Sequence, residues 1–161
     1  MNDDLPLRFR EATLADLPQL VALLANDALG KQREQLAHPL PPAYIRAFHQ
    51  IDRDPQHELM LALLEDQIVG TFQLSFLPYL TYQGGLRAQI EAVRVHPAHR
   101  GSGIGRQMIH WAIERAKARG AHLIQLTTDK QRPAAIRFYE SLGFRPTHEG
   151  MKLHVQSIES P

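Results

Sequence analysis

The run Arg100-Gly101-Ser102-Gly103-Ile104-Gly105 is the segment whose residue types and spacing most directly imply chemistry. It follows a strand-like stretch, Ile90 to Val95, and opens an amphipathic helical pattern. Glycines let the backbone turn so that several N–H groups face one point, and the helix dipole adds partial positive charge there. A phosphate or pyrophosphate is the natural ligand of such a bend. Two familiar phosphate chemistries are excluded by the surrounding residues. Arg106 stands where a dinucleotide fingerprint needs its third glycine, and no Gly-Lys-Ser or Gly-Lys-Thr follows to grip a triphosphate and its magnesium. What remains is a phosphate cradle without a metal. The nine histidines do not alter this reading. None falls in a ligand spacing, and in His96-Pro97-Ala98-His99 the proline disrupts any helical metal face. The chain has no cysteine, which excludes disulfides, thiol nucleophiles and thiolate metal sites.

The elements that must position this loop follow from periodicity. Leu7 to Glu11 reads as a first strand, and Thr13 as the N-cap of a helix with Leu17, Leu20, Val21, Leu24 and Ala28 on its core face, ended by Gly30. Lys31 to Pro42 is a polar, proline-rich segment of the kind that rims a substrate site, before a helix from about Ala43 to Ile51. Leu59 to Leu64 and Ile68 to Phe76 form an antiparallel hairpin about Asp66-Gln67. A loop with Tyr79, Tyr82, Gly84 and Gly85 leads to a strand from Ala88 to Val95. Ile104 to Arg119 is a helix burying Ile104, Met108, Ile109, Ala112, Ile113 and Ala116, closed by Gly120. His122 to Thr128 is a strand, parallel to the one before the helix because the crossover is a βαβ unit. Pro133 starts a short helix that Gly143 stops, and Met151 to Val155 supplies a final strand.

At 161 residues, with 43% hydrophobic and 22% charged residues, the composition suits one soluble domain over residues 1–161. A formal net charge of +1 gives no reason to invoke nucleic acid or an anionic membrane as partner. The acidic start Met1-Asn2-Asp3-Asp4 is unlike a signal peptide, and no apolar run is long enough to span a bilayer. The expected location is the cytoplasm.

Val93-Arg94-Val95-His96-Pro97-Ala98-His99-Arg100-Gly101-Ser102-Gly103-Ile104-Gly105 resembles the strand, bend and pyrophosphate loop of the GNAT superfamily of acyl-CoA N-acyltransferases. Ala135 to Phe144, containing Phe138-Tyr139, is similar to that family's second motif. Two motifs in this order, one helix and one strand apart, are more specific than either alone. The resemblance implies an α/β fold with a mixed, mostly antiparallel central sheet splayed at its centre and helices on both faces. It implies acetyl-CoA as cosubstrate and no metal. The backbone N–H groups of Gly101, Ser102, Gly103, Ile104, Gly105 and Arg106 would bind its pyrophosphate, with Arg100 beside it. Val93, Arg94 and Val95 would pair with the pantetheine arm like another strand, and Phe138 would also contact the coenzyme.

Tyr139 matches the family tyrosine whose hydroxyl faces the coenzyme sulfur and can protonate the departing thiolate. The acceptor must lose a proton before its lone pair attacks, and Glu91 is the candidate base, directly or through a water chain. On a regular strand it shares a face with Gln89, Val93 and Val95. Its alternative is an ordinary ion pair with Arg87 or Arg94. Two positions depart from the family pattern. Gln89 stands where many members have glutamate, and Arg132 where asparagine is common, so that Arg132 could join Lys130 and Arg137 at a phosphate of the coenzyme. The resulting expectation is an enzyme that acetylates a primary amine of a small molecule, with a homodimer possible. A binding or sensing module without catalysis, and an acyltransferase acting on a protein amine, are the alternatives.

Overall fold

The computed structural model describes residues 6–27 and 29–155. The expectations for Met1 to Asp4 and for Ala28 lie outside the described residues. The chain forms two compact units, one ending at Leu126 and one beginning at Thr127.

The first unit is built on five strands in the order β1 (Leu7–Glu11), β2 (His57–Leu64), β3 (Gln67–Pro78), β4 (Leu86–Val95) and β5 (Leu123–Leu126). Neighbours are antiparallel except β4 and β5, which run parallel. That parallel pair is joined through helix α3 (Ile104–Ala118), as the βαβ reading requires. Register divides the sheet into two faces. On one, Leu61 and Leu63 pack with Leu20 and Val21 of helix α1 (Leu17–Ala25) and Phe48 of helix α2 (Pro42–Arg53). On the other, α3 buries Ile104, Met108, Ile109, Ala112 and Ala116. Trp111 there stacks on Phe9 at 5.2 Å and meets Phe72 edge-on at 5.8 Å. Each fully buried large aliphatic or aromatic side chain contributes about 1.5–3 kcal/mol. The same face buries Glu58, which Arg115 of α3 and Arg119 at its C-cap hold at 2.7 and 2.9 Å. A buried carboxylate is tolerated only with such partners.

Several local expectations are corrected. Thr13 is an N-cap as expected, but of the single 3₁₀ turn Leu14–Asp16 that precedes α1, and its N–H donates to the Asp16 carboxylate at 2.7 Å. The buried face of α1 contains Leu17, Leu20 and Val21 as expected and also Leu23, whereas Leu24 is half-buried. The helix ends at Ala25, not at Gly30. Gly30 instead permits a close approach, since a Cβ there would lie 2.0 Å from the Leu24 carbonyl oxygen. The hairpin turns at Glu65-Asp66, with Glu65 at φ 55°, and Gln67 already belongs to β3. The strand expected to end at Phe76 runs on to Pro78, and Phe76 is buried within it.

The second unit contains helix α4 (Pro133–Glu140), opened by proline at its first position and followed by Gly143 at φ 92°. The expected last strand over Met151 to Val155 does not form among the described residues. Met151, Leu153 and Val155 are almost fully exposed, so their alternation meets no partner strand there.

Candidate active site

The parallel ladder between β4 and β5 stops at Ile90 opposite Leu126, and β4 runs on alone along that edge to Val95. The His96 N–H bonds the Val69 carbonyl on the β3 side, so by strand alternation Val93 and Val95 direct their polar groups to the open side. Their carbonyls accept from Arg94 Nη1 at 2.9 Å and Arg100 Nε at 3.3 Å. This is the edge that the family resemblance would give to the pantetheine arm.

Beyond Val95 a short 3₁₀ turn, Pro97–His99, leads into the glycine bend. Gly101 and Gly103 have φ of 77° and 85°, a left-handed conformation in which a Cβ would crowd the following carbonyl. Gly103 is the N-cap of α3 and offers no side-chain oxygen to the first-turn N–H groups. The first turn of a helix has no intrahelical acceptors for those donors, and with a bare cap an anion is the fitting partner. Space beside Gly101 is open, with nothing within 4 Å of a Cβ placed there. The residues present therefore fit a pyrophosphate. Arg100 fastens the bend: besides Val95, its guanidinium donates to the Asn26 carbonyl at 3.1 Å at the end of α1. Ser102 Oγ donates to the His99 carbonyl at 2.6 Å. Arg94 pairs with Asp27 at 3.1 Å, and Asp27 also accepts from the Gly30 N–H at 2.6 Å. The segment after α1 is thereby tied to the open end of β4.

Glu91 sits one residue past the parting of β4 and β5. The expectation that it shares a face with Val93 and Val95 is wrong. Ala92 has φ 53°, and the β3–β4 register shifts there, from Gln73 opposite Glu91 to Thr71 opposite Arg94. This bulge puts one extra residue into β4 and inverts the alternation. Glu91 therefore lies with Arg87, Gln89 and Arg94 on one face, while Val93 and Val95 share the face of Phe72 and Gly70. Glu91 is exposed, and the alternative of an ion pair with Arg87 or Arg94 is not met. Its carboxylate makes no hydrogen bond or ion pair with the described residues, which leaves it able to accept a proton.

The register also reveals a polar floor around Glu91. Gln73 lies opposite Glu91, Ser75 opposite Gln89 and His57, and Gln125 opposite Gln89. Gln125 Nε2 donates to Gln89 Oε1 at 2.6 Å, and His57 Nδ1 lies 2.8 Å from Ser75 Oγ. Gln89 is thus an amide in a ladder and no acid. The sequence reading missed Gln73, Ser75 and Gln125. Their signal was the alternation of Gln73 and Ser75 with Phe72, Leu74 and Phe76, which marks one polar face within an apolar strand.

In the second unit, Tyr139 packs edge-on between Phe138 and Phe144, with ring centroids 5.1 and 5.8 Å away. Lys130 pairs with Glu149 at 3.0 Å, and Arg132 is the N-cap of α4. Among the described residues, no group of three or more His, Asp or Glu side chains is placed to hold a metal. None of the helices there is long and apolar enough to cross a membrane.

An open, mostly antiparallel sheet that parts beside a parallel strand, with a glycine-capped helix at the mouth, defines the acyltransferase class of fold. The comparisons agree, and the chain belongs to the Acetyltransferase (GNAT) family, whose profile matches residues 23–144. A crystal structure of a transcriptional regulator from Bacillus halodurans C-125 is 58% identical, covers 92% of this chain and 99% of its own, and has a TM-score of 0.90. A predicted acetyltransferase from Clostridium acetobutylicum, crystallised with acetyl-CoA, is 25% identical, covers 93% of this chain and 97% of its own, and has a TM-score of 0.71. Among curated proteins, the aminoalkylphosphonate N-acetyltransferase of Salmonella typhimurium is 35% identical over 59% of this chain and 61% of its own length. The chain spans about half the length of further curated relatives.

Proposed function

We propose that this chain is a single-domain N-acetyltransferase that moves the acetyl group of acetyl-CoA to a primary amine of a small molecule by direct attack. The observation that carries this reading is an unpaired Glu91 at the point where β4 parts from β5, beside a helix whose glycine cap suits a pyrophosphate. Bound acetyl-CoA supplies an activated acyl carbon. Gly101 to Arg106 would hold its phosphates through backbone N–H groups, and the β4 edge at Val93 to Val95 would orient its arm. Glu91, or a water resting on it, accepts the proton of the incoming ammonium so that the nitrogen can form the new C–N bond. A backbone N–H near Val93 donates to the acyl oxygen as charge develops there. As the C–S bond breaks, Tyr139 gives the sulfur a proton; this role rests on the motif from Ala135 to Phe144.

Steady-state kinetics of Glu91→Gln and Tyr139→Phe, read beside thermal stabilisation by coenzyme A, test the assignment. Each variant should lose about 10²–10⁴-fold in kcat while coenzyme stabilisation persists. Full turnover in either would remove that residue from the mechanism. One observation favours a second reading, an acyl-CoA-binding module that does not turn over. The 58% identical relative is described as a transcriptional regulator. That reading predicts stabilisation by acetyl-CoA and no coenzyme release with any amine.

A further inference from the structure

Arg87 lies on the same face of β4 as Glu91, four residues before it and ahead of the bulge. Regular extension puts their Cα atoms about 13 Å apart, and the two side chains rise from one surface. The surroundings of its guanidinium are specific. One face lies over the Tyr79 ring, 4.2 Å from the centroid, and Nη1 donates to Gln125 Oε1 at 3.3 Å. Nε is buried and finds no hydrogen-bond partner. Among the described residues Nη2 makes no hydrogen bond, and no carboxylate comes within ion-pair distance of Arg87. Nε and Nη2 form the side-on edge of the fork, the edge that matches the two oxygens of a carboxylate, phosphate or phosphonate. The other cations on this sheet face are engaged: Arg94 with Asp27, and Arg10 with Asp16.

Resting on the reading of Glu91 as the amine end of the site, we infer that Arg87 is an oxyanion subsite and that the acceptor is an amine bearing a carboxylate, phosphate or phosphonate. An oxyanion on the side-on edge supplies both missing acceptors and neutralises a cation that has no acidic partner. Tyr79 and Gln125 hold the guanidinium plane so that little rotamer freedom is lost on binding. The polar floor of Gln73, Gln89 and Gln125 between the two ends suits a hydrogen-bonding linker of a few bonds rather than an apolar chain.

The test compares matched pairs of amines: 2-aminoethylphosphonate with ethanolamine, glucosamine 6-phosphate with glucosamine, and L-amino acids with their amides. The wild-type kcat/KM should favour the anionic member of at least one pair, which also tells phosphorus oxyanion from carboxylate. In Arg87→Met that preference ratio should fall between about tenfold and a hundredfold, and Arg87→Lys should restore part of it. A ratio, unlike a rate, is insensitive to a variant that merely folds less well. No preference in the wild type, or an unchanged ratio in Arg87→Met, would overturn the subsite. Thermal stabilisation by the same compounds in the presence of coenzyme A separates this inference from the transfer reaction. Selective stabilisation by an anionic amine, lost in Arg87→Met but with no turnover anywhere, would sink the transferase reading and leave the subsite standing. Equal stabilisation by both members of every pair would sink the subsite.

Discussion

At the scale of single residues, the first unit depends on a few charges whose partners are fixed by the fold. Asp16 accepts a bidentate pair of hydrogen bonds from Arg10 at 2.7 and 2.9 Å, together with the N–H and hydroxyl of Thr13 at 2.7 and 2.9 Å. The Arg10 guanidinium holds its carboxyl well below the usual range; partial burial opposes this, and the Thr13 donors add to it. A carboxylate whose pKa is depressed by folding stabilises the native state in full above the unfolded value, near pH 4, and loses that contribution as pH falls through the folded value. Chemical denaturation between pH 7 and pH 2 should therefore show a shallower acid loss of stability in Asp16→Asn than in the wild type. Identical slopes would mean that the Arg10 pair has no stabilising linkage. The same scale explains why Glu91 is chemically distinct from Glu58. Glu58 is held by two arginines beneath α3, whereas Glu91 has none, although Arg87 and Arg94 flank it in sequence.

At the scale of elements, the bend before α3 requires backbone conformations that only glycine adopts cheaply. Gly103→Ala places a Cβ on a residue at φ 85° and should cost about 1–2 kcal/mol of stability. The variant should also be stabilised less by coenzyme A than the wild type, because the cap it distorts is the one proposed to hold the phosphates. Undiminished coenzyme stabilisation in a folded Gly103→Ala protein would place the pyrophosphate elsewhere. This loop was legible in the sequence because its signal is local: glycines between a strand and an amphipathic helix. The bulge at Ala92 was not, because alanine carries no mark of a positive φ, and the extra residue shows only in the pairing with β3. One unseen residue was enough to exchange the faces of Val93 and Arg94 relative to Glu91. The end of α1 was misread for a related reason. A glycine demanded by close approach to Leu24 looks the same in sequence as one that stops a helix.

At the scale of the whole molecule, the antiparallel hairpin of β2 and β3, the parallel βαβ unit and the core face of α3 follow from hydrophobic period and turn residues, and the structure has them. What periodicity could not supply was the use of the sheet's polar face. His57, Gln73, Ser75, Gln89 and Gln125 are far apart in the chain and become neighbours only through the register of four strands. The family match covers residues of both compact units. The most direct measurement is the time course of free thiol released from acetyl-CoA by the purified full chain, with a panel of primary amines and a no-amine control. Amine-dependent release, with the acetylated amine recovered in equal amount, is the predicted result. Binding of acetyl-CoA with release no faster than the control across the panel would contradict the transferase account and leave a coenzyme-binding module in its place.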